Sequence, residues 1–222
     1  MSDKKHVPVM VIGLGRFGGA VACSLMRMGH EVLGIDADPA LVDQFADRLT
    51  QVVEADTTDI DALRRLDAGD YGSVVVGIGT DMEASVLTVL ALSDLGVPSI
   101  VAKAINENHG RILERTGATN IVYPEARMGA RVAHILSGRM IDYIEFDDNF
   151  AIAKLRAPAS ICGKTLEASG VRTRHDITVV GIKRRQDDFV YAVPETEVEE
   201  GDLLIVSGTT PDVERFAALG AG

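Results

Sequence analysis

From Val7 to about Tyr123 the chain repeats one pattern: a short run of β-branched and aliphatic residues, then a longer window with apolar residues at helical spacing. Strands that are apolar throughout need cover on both faces, and a helix between successive strands supplies the crossover that parallel pairing requires. The runs fall at 9–12, 31–35, 51–55, 73–78, 99–104 and 120–122. They predict a Rossmann-type α/β fold, a doubly wound parallel sheet. Phe17, Ala20, Val21, Ser24, Leu25 and Met28 share a helix face that ends at Gly29, and Asp38-Pro39 opens a second helix that buries Leu41, Val42, Phe45 and Leu49. Val86, Leu87, Leu90 and Leu95 make a third stripe, closed by Gly96.

Pro124 closes the sixth strand. Met128, Val132, Ile135, Leu136 and Met140 then form a helical stripe that runs to a seam near Ser137-Gly138. We expect a first domain over 1–139 and a second over 140–222. In the second the pattern becomes alternating strands at 141–146, 150–156, 177–183, 189–193 and 203–207, with a short helix around Leu166 and another over 211–219. That pattern reads as a small α+β domain.

Gly13-Leu14-Gly15-Arg16-Phe17-Gly18 lies between the first strand and the first helix, where a GxGxxG motif binds a nucleotide. Gly13 permits the tight turn, Gly15 lets phosphates approach the backbone, and Gly18 lets the helix pack close to the strand. Asp36, at the end of the second strand, is placed to accept hydrogen bonds from both hydroxyls of an adenosine ribose; it would repel a 2′-phosphate, which disfavours NADP. Asp56-Thr57 and Ile78-Gly79-Thr80 follow the third and fourth strands and should face the same crevice, although each also reads as an ordinary polar turn. Arg16 has five donors suited to a phosphate, or is a surface arginine.

Charge and composition narrow the function. A formal net charge of -11, from 33 acidic and 22 basic residues, argues against nucleic acid as a partner. Cys23 and Cys162 lack metal-ligand spacing, no stretch approaches the roughly 20 apolar residues of a membrane span, and Gly13, Gly15 and Arg16 interrupt the apolar run after Lys4 and Lys5 too early for a signal-peptide core. We therefore expect a cytosolic protein that meets a membrane only through a partner. The second domain offers no evident acid, base and anion clamp: of the five histidines only His175 lies there, in what reads as a basic loop over 171–176, and His6, His30, His109 and His134 are scattered. A nucleotide site without chemistry suggests a sensor rather than an enzyme. A small NAD-dependent oxidoreductase and an NADH redox sensor acting on transcription are the alternatives.

The segments Val11 to Gly19 (VIGLGRFGG), Met28 to Leu33 (MGHEVL) and Ile78-Gly79-Thr80-Asp81, with Lys103, Pro124-Glu125 and Met128-Gly129, resemble the RCK (regulator of K+ conductance) family, in particular the Ktr-type subunits of bacterial potassium uptake systems. The resemblance covers nearly the whole chain. It implies an RCK_N domain followed by an RCK_C domain, with dimers assembled into a homo-octameric ring beneath a membrane subunit of the KtrB/TrkH type. It also implies activation by ATP, inactivation by ADP and NAD(H) as a further ligand. By position, Gly13, Gly15, Phe17 and Gly18 would line the phosphates, and Asp36, Ala37 and Asp38 would hold the ribose. Asp56, Thr57, Ile78, Gly79 and Thr80 would frame adenine and ribose, and Lys103, Ala104, Ile105 and His109 would border the pocket. Arg16 would reach the γ-phosphate held by a neighbouring subunit. Glu125 would sit beside it and help hold a cation, Mg2+ or Na+; read from the residues alone, Glu125 is a helix N-terminal acid. Related RCK_C domains bind cyclic di-AMP at their dimer interface, where this chain has Arg172, Arg174, His175 and Pro194; Thr178 and Ala168-Ser169 depart from the usual pattern there, and a dimer interface without ligand is the other reading.

Overall fold

Every residue of strand β1 (Val9–Ile12) is buried, so successive side chains need apolar cover on opposite faces. In the computed structural model, which describes residues 8–137, 140–146, 149–184 and 188–220, helices supply it on both sides. The parallel sheet comprises β1, β2 (Val32–Asp36), β3 (Gln51–Glu54), β4 (Ser73–Val76), β5 (Ile100–Lys103) and β6 (Asn120–Val122) in the order β3-β2-β1-β4-β5-β6. Between the strands lie α1 (Arg16–Arg27), α2 (Pro39–Phe45), α3 (Ile60–Arg65), α4 (Met82–Asp94) and α5 (Glu107–Arg115), and α6 (Pro124–Leu136) follows the last. Met10, Ile12, Val74 and Val76 join Leu63 of α3, Leu92 of α4 and Leu113 of α5 in one core. Their neighbours Val9, Val11 and Val75 join Ala22 of α1 and Phe45 of α2 in the other.

Local chemistry sets the helix starts. Asp38, Asp59, Asp81 and Asn106 each accept a backbone N–H with the side chain at the head of α2, α3, α4 and α5. Neither α3 nor α5 stands out in the sequence, because α3 buries only Leu63 and α5 buries His109, Gly110 and Leu113, too few large apolar residues to show a stripe. The expected run at 73–78 stops at Val76; Gly77 still donates its N–H to the Ile12 carbonyl at 2.7 Å and packs on the glycine turn, where a Cβ on it would lie 2.9 Å from the Gly13 carbonyl oxygen.

His109 is fully buried in α5. Its Nδ1 accepts the Ile105 N–H at 3.4 Å, its Nε2 has no hydrogen-bond partner among the described residues, and burial lowers the imidazole pKa.

The chain divides into two compact units, Met1–Glu125 and Ala126–Gly222. The expected seam at Ser137-Gly138 lies beyond this division; Gly138 and Arg139, like His6 and Val7, fall outside the described residues. The second unit gathers α6 through an Arg131–Asp142 ion pair of 2.8 Å and the His134 ring, 4.1 Å from that of Tyr143. Met128, Val132, Ile135 and Leu136 are exposed, and Met140, expected on their stripe, is buried beyond the helix end.

A sheet ordered β11-β10-β13-β8-β7 forms the frame of this unit, from β7 (Asp142–Glu145), β8 (Phe150–Arg156), β10 (Thr178–Lys183), β11 (Phe189–Tyr191) and β13 (Leu203–Thr209). Its neighbouring strands are antiparallel. A second, two-stranded ladder pairs β9 (Lys164–Thr165) with β12 (Glu197–Val198). Helices α7 (Leu166–Ser169), α8 (Val171–His175) and α9 (Thr210–Ala218) complete it. The basic loop expected over 171–176 is therefore largely helix. Left-handed Gly170 and Asp176 bound α8 and Val171 is its buried residue, so no apolar period marks it in the sequence. Phe216 of α9 is fully buried among Leu155, Ile177, Leu204 and Val206.

Phe216→Ala removes the largest fully buried side chain among the described residues and should cost about 3–5 kcal/mol, read as a lowered denaturant midpoint with little change in slope. The imidazole of His109 gives stability a pH dependence of known sign. Because burial lowers its folded pKa, its contribution is fully present above the unfolded value of about 6.5 and declines as pH falls through that value toward the folded one. Denaturation of His109→Gln at a series of pH values between about 7 and 5 should therefore show a shallower acid decline than the parent.

Candidate functional site

In the first unit the strand order reverses between β1 and β4, and connections leaving two neighbouring strands in opposite directions open a crevice at their carboxyl ends. A cleft of about 650 Å³ occupies that position. Gly13 has φ +83°, a conformation that strains any other residue, and a Cβ there would also meet the Ile78 amide nitrogen at 2.9 Å. Gly18 does not line the cleft. A Cβ on it would come 1.8 Å from the Gly13 carbonyl oxygen, so its missing side chain lets α1 sit against the turn. Gly15 is the opposite case: it lines the cleft and faces open space. It also occupies the N-cap of α1 with no side-chain cap, unlike the caps of α2 to α5. First-turn N–H groups and the positive end of the helix thus meet the cleft beside space for a phosphate.

At the end of β2, Asp36 is anchored by backbone. One carboxylate oxygen accepts the Leu14 N–H at 2.6 Å and the other the Asp38 N–H at 2.9 Å. Each oxygen keeps acceptor capacity, so a fixed carboxylate faces the cleft, where it would suit ribose hydroxyls and oppose a 2′-phosphate. Asp38 uses its own side chain to cap Ala40 N–H at 2.9 Å, and Ala37 lies between them on the cleft wall. Asp56 accepts the N–H and hydroxyl of Thr58 at 2.9 and 2.7 Å, and these bonds hold its carboxyl below the usual carboxylate range. Thr57 is buried, with its hydroxyl 2.9 Å from that of Thr88 on α4. Ile78, Gly79 and Thr80 form the facing wall, and Ile105 lines the cleft beyond β5.

The third side is charged. Lys103 Nζ lies 2.6 Å from Glu125 Oε1; the lysine side chain is 12% exposed and the glutamate 66%. Hydrogen bonding to Lys103 is the largest cause of a lowered Glu125 pKa, and the Lys103 and Arg16 charges act in the same direction. Arg16 is exposed on the cleft rim. Among the described residues no group of three or more His, Cys, Asp or Glu could hold a metal. A hard cation beside Glu125 would therefore take its remaining oxygen ligands from phosphate and water, the usual way Mg2+ is held near nucleotides.

Two residues expected at the pocket border are elsewhere. Ala104 and His109 are buried and do not line the cleft, since the chain turns inward after Lys103 to close the core over α5. Leu41, Ala55, Thr58, Gly77, Asp81 and Ala84 line it without having been singled out as site residues. Leu41 reads as core because its spacing is helical, and Asp81 caps a helix; Gly77, directly before Ile78-Gly79, is the one with a local signal.

In the second unit Arg172 and Arg174 are exposed on α8, and the His175 ring packs 5.3 Å from Phe216. Pro194 is exposed and its carbonyl accepts the Glu167 N–H at 2.9 Å. Among the described residues no helix is long and apolar enough to cross a membrane.

Residues 9–124 match the TrkA-N domain family and residues 150–219 the TrkA-C domain family. The Ktr system potassium uptake protein C of Bacillus subtilis is 37% identical over 207 residues, which cover 93% of this chain and 94% of the relative. The Ktr system potassium uptake protein A of the same organism is 37% identical over 217 residues, with 97% and 98% covered. The solved GsuK channel bound to NAD superposes with a TM-score of 0.66 at 21% identity. The match covers 99% of this chain and 40% of the channel, so this chain spans less than half of that protein, and the likeness is one of fold. With both domain families matched in order and near-full-length relatives at this identity, the chain belongs to the Ktr/Trk-type RCK family.

Proposed function

We propose that this chain is a cytoplasmic nucleotide-sensing subunit that gates a membrane potassium transporter. The observation that carries the reading is the cleft: an uncapped helix N-terminus and open Gly15 suit phosphates, and backbone-anchored Asp36 suits a ribose. The potassium-uptake names of its full-length relatives supply the process in which such a sensor acts. ATP and ADP compete for the cleft, ATP favouring an activating ring and ADP an inactive one. Such switching requires each nucleotide to prefer a different state. Phosphates lie over Gly13, Gly15 and Phe17, ribose against Asp36 and Asp38, and adenine between Asp56-Thr57 and Ile78-Thr80. Arg16, exposed at the rim, reaches the γ-phosphate of a neighbouring subunit, and Glu125 helps hold Mg2+ or Na+ there. The exposed Met128, Val132, Ile135 and Leu136 of α6 suit a dimer building block of a homo-octameric ring under a KtrB/TrkH-type subunit. Exposed Arg172 and Arg174 suit cyclic di-AMP in the second domain.

NAD(H) is the second reading of the same site, favoured by the NAD-bound channel of the same fold and by a cleft of about 650 Å³. Calorimetry with ATP, ADP, NADH and NADPH separates the two. Binding of ATP and ADP with NADPH excluded supports the sensor, and NADH binding without competition from ATP or ADP moves the assignment to a redox role. X-ray scattering should then give different ring profiles with ATP and ADP; identical profiles would sink the gating mechanism. Arg16→Ala should weaken ATP binding by about tenfold, the loss of one charge-assisted hydrogen bond, while ADP binding changes by less than about twofold.

A further inference from the structure

Lys103 is the unusual cation of the cleft. It emerges from the end of β5, is 12% exposed, and lies along the β4–α4 turn so closely that a Cβ on Gly79 would meet its Nζ at 2.7 Å. An ammonium with so little access to water needs an anion, and the one it has is Glu125, at 2.6 Å. Glu125 belongs to the first turn of α6, is mostly exposed, and shares the cleft wall with Arg16 and Gly79. Besides Lys103, that carboxylate meets backbone hydrogen bonding at its own helix start and the Arg16 charge. The pair is thus asymmetric: a nearly buried cation and an exposed, solvated anion.

We propose that Glu125 is a built-in surrogate for phosphate, which masks Lys103 until the phosphate chain of a nucleotide displaces it. This rests on the nucleotide-sensing reading and adds an exchange to it. A phosphate oxygen takes the place of the Glu125 carboxylate on Lys103, and Glu125, released from the lysine at the head of α6, is left to face a cation at the phosphates. Lys103 is then a phosphate ligand, and the exchange selects for phosphate-bearing nucleotides, because a nucleoside gives Lys103 no anion in return. It also couples occupancy of the cleft to α6, whose later residues belong to the second unit.

The experiment measures adenosine, ADP and ATP binding by calorimetry in sodium-free buffer with divalent cations chelated, so that any cation role of Glu125 is silent. With the masking anion gone, Glu125→Gln should bind ADP and ATP about five- to tenfold more tightly and adenosine unchanged, the size expected for one competing ion pair. In a Lys103→Met background the same substitution should give less than about a twofold gain. An undiminished gain there would mean that Glu125 acts through general repulsion, and overturns the exchange. Glu125→Asp serves should Lys103→Met fold poorly: it keeps the charge but shortens the reach to an immobilised lysine. It should tighten ADP binding as Gln does; behaviour like the parent again overturns the proposal. Unchanged or weaker ADP binding in Glu125→Gln, with the parent binding normally, defeats the exchange alone, whereas a parent that binds neither ADP nor ATP defeats the nucleotide reading beneath it.

Discussion

The approach of helix α1 to the turn that precedes it governs the first unit. Gly18 sits so near the Gly13 carbonyl that even a methyl group would collide with it, and Gly77 closes on the same oxygen from β4. Three backbones meet there because none carries a side chain. The consequence is directional: α1 is pinned with its N-terminus at the strand ends, and Gly15 is left as the open end of the helix. Phosphate affinity at this place needs no charged side chain, only the unpaired first-turn amides and the aligned peptide dipoles behind them.

Charged groups then divide the cleft into regions with different tasks. Asp36 is held by the amides of Leu14 and Asp38, so the glycine turn and the ribose wall are one hydrogen-bonded piece. Across the cleft the Lys103–Glu125 pair joins a nearly buried cation to an exposed anion on the helix that leads into the second unit. A backbone-anchored carboxylate on one side and an exposed, lysine-paired carboxylate on the other thus face the same cleft.

The second unit is built on a different rule. Its antiparallel sheet buries one set of side chains around Phe216, Leu204 and Leu155, while Val180, Val190 and Tyr191 stay exposed along β10 and β11. Exposed apolar residues on α6 continue that character. Exposed apolar surfaces of this kind are suited to assembly.

The sequence by itself determined the six parallel strands of the first unit, the glycine turn and the acid at the end of β2. Each depends on residues adjacent in the chain: β-branched runs of strand length, a GxGxxG at a strand–helix joint, and an acid at the end of the next strand. It also contained the likeness to the Ktr/Trk-type RCK family that the relatives bear out. Helices α3, α5 and α8 were hard to see because each buries too few large apolar residues to leave a period, and their caps and packing partners decide them. Only the tertiary structure decided that His109 and Ala104 turn into the core rather than the cleft, that Thr57 ties to Thr88, and that Lys103 is neutralised by Glu125. Those outcomes depend on which residues distant in sequence share a wall, and helix packing against the sheet fixes that, not the local pattern.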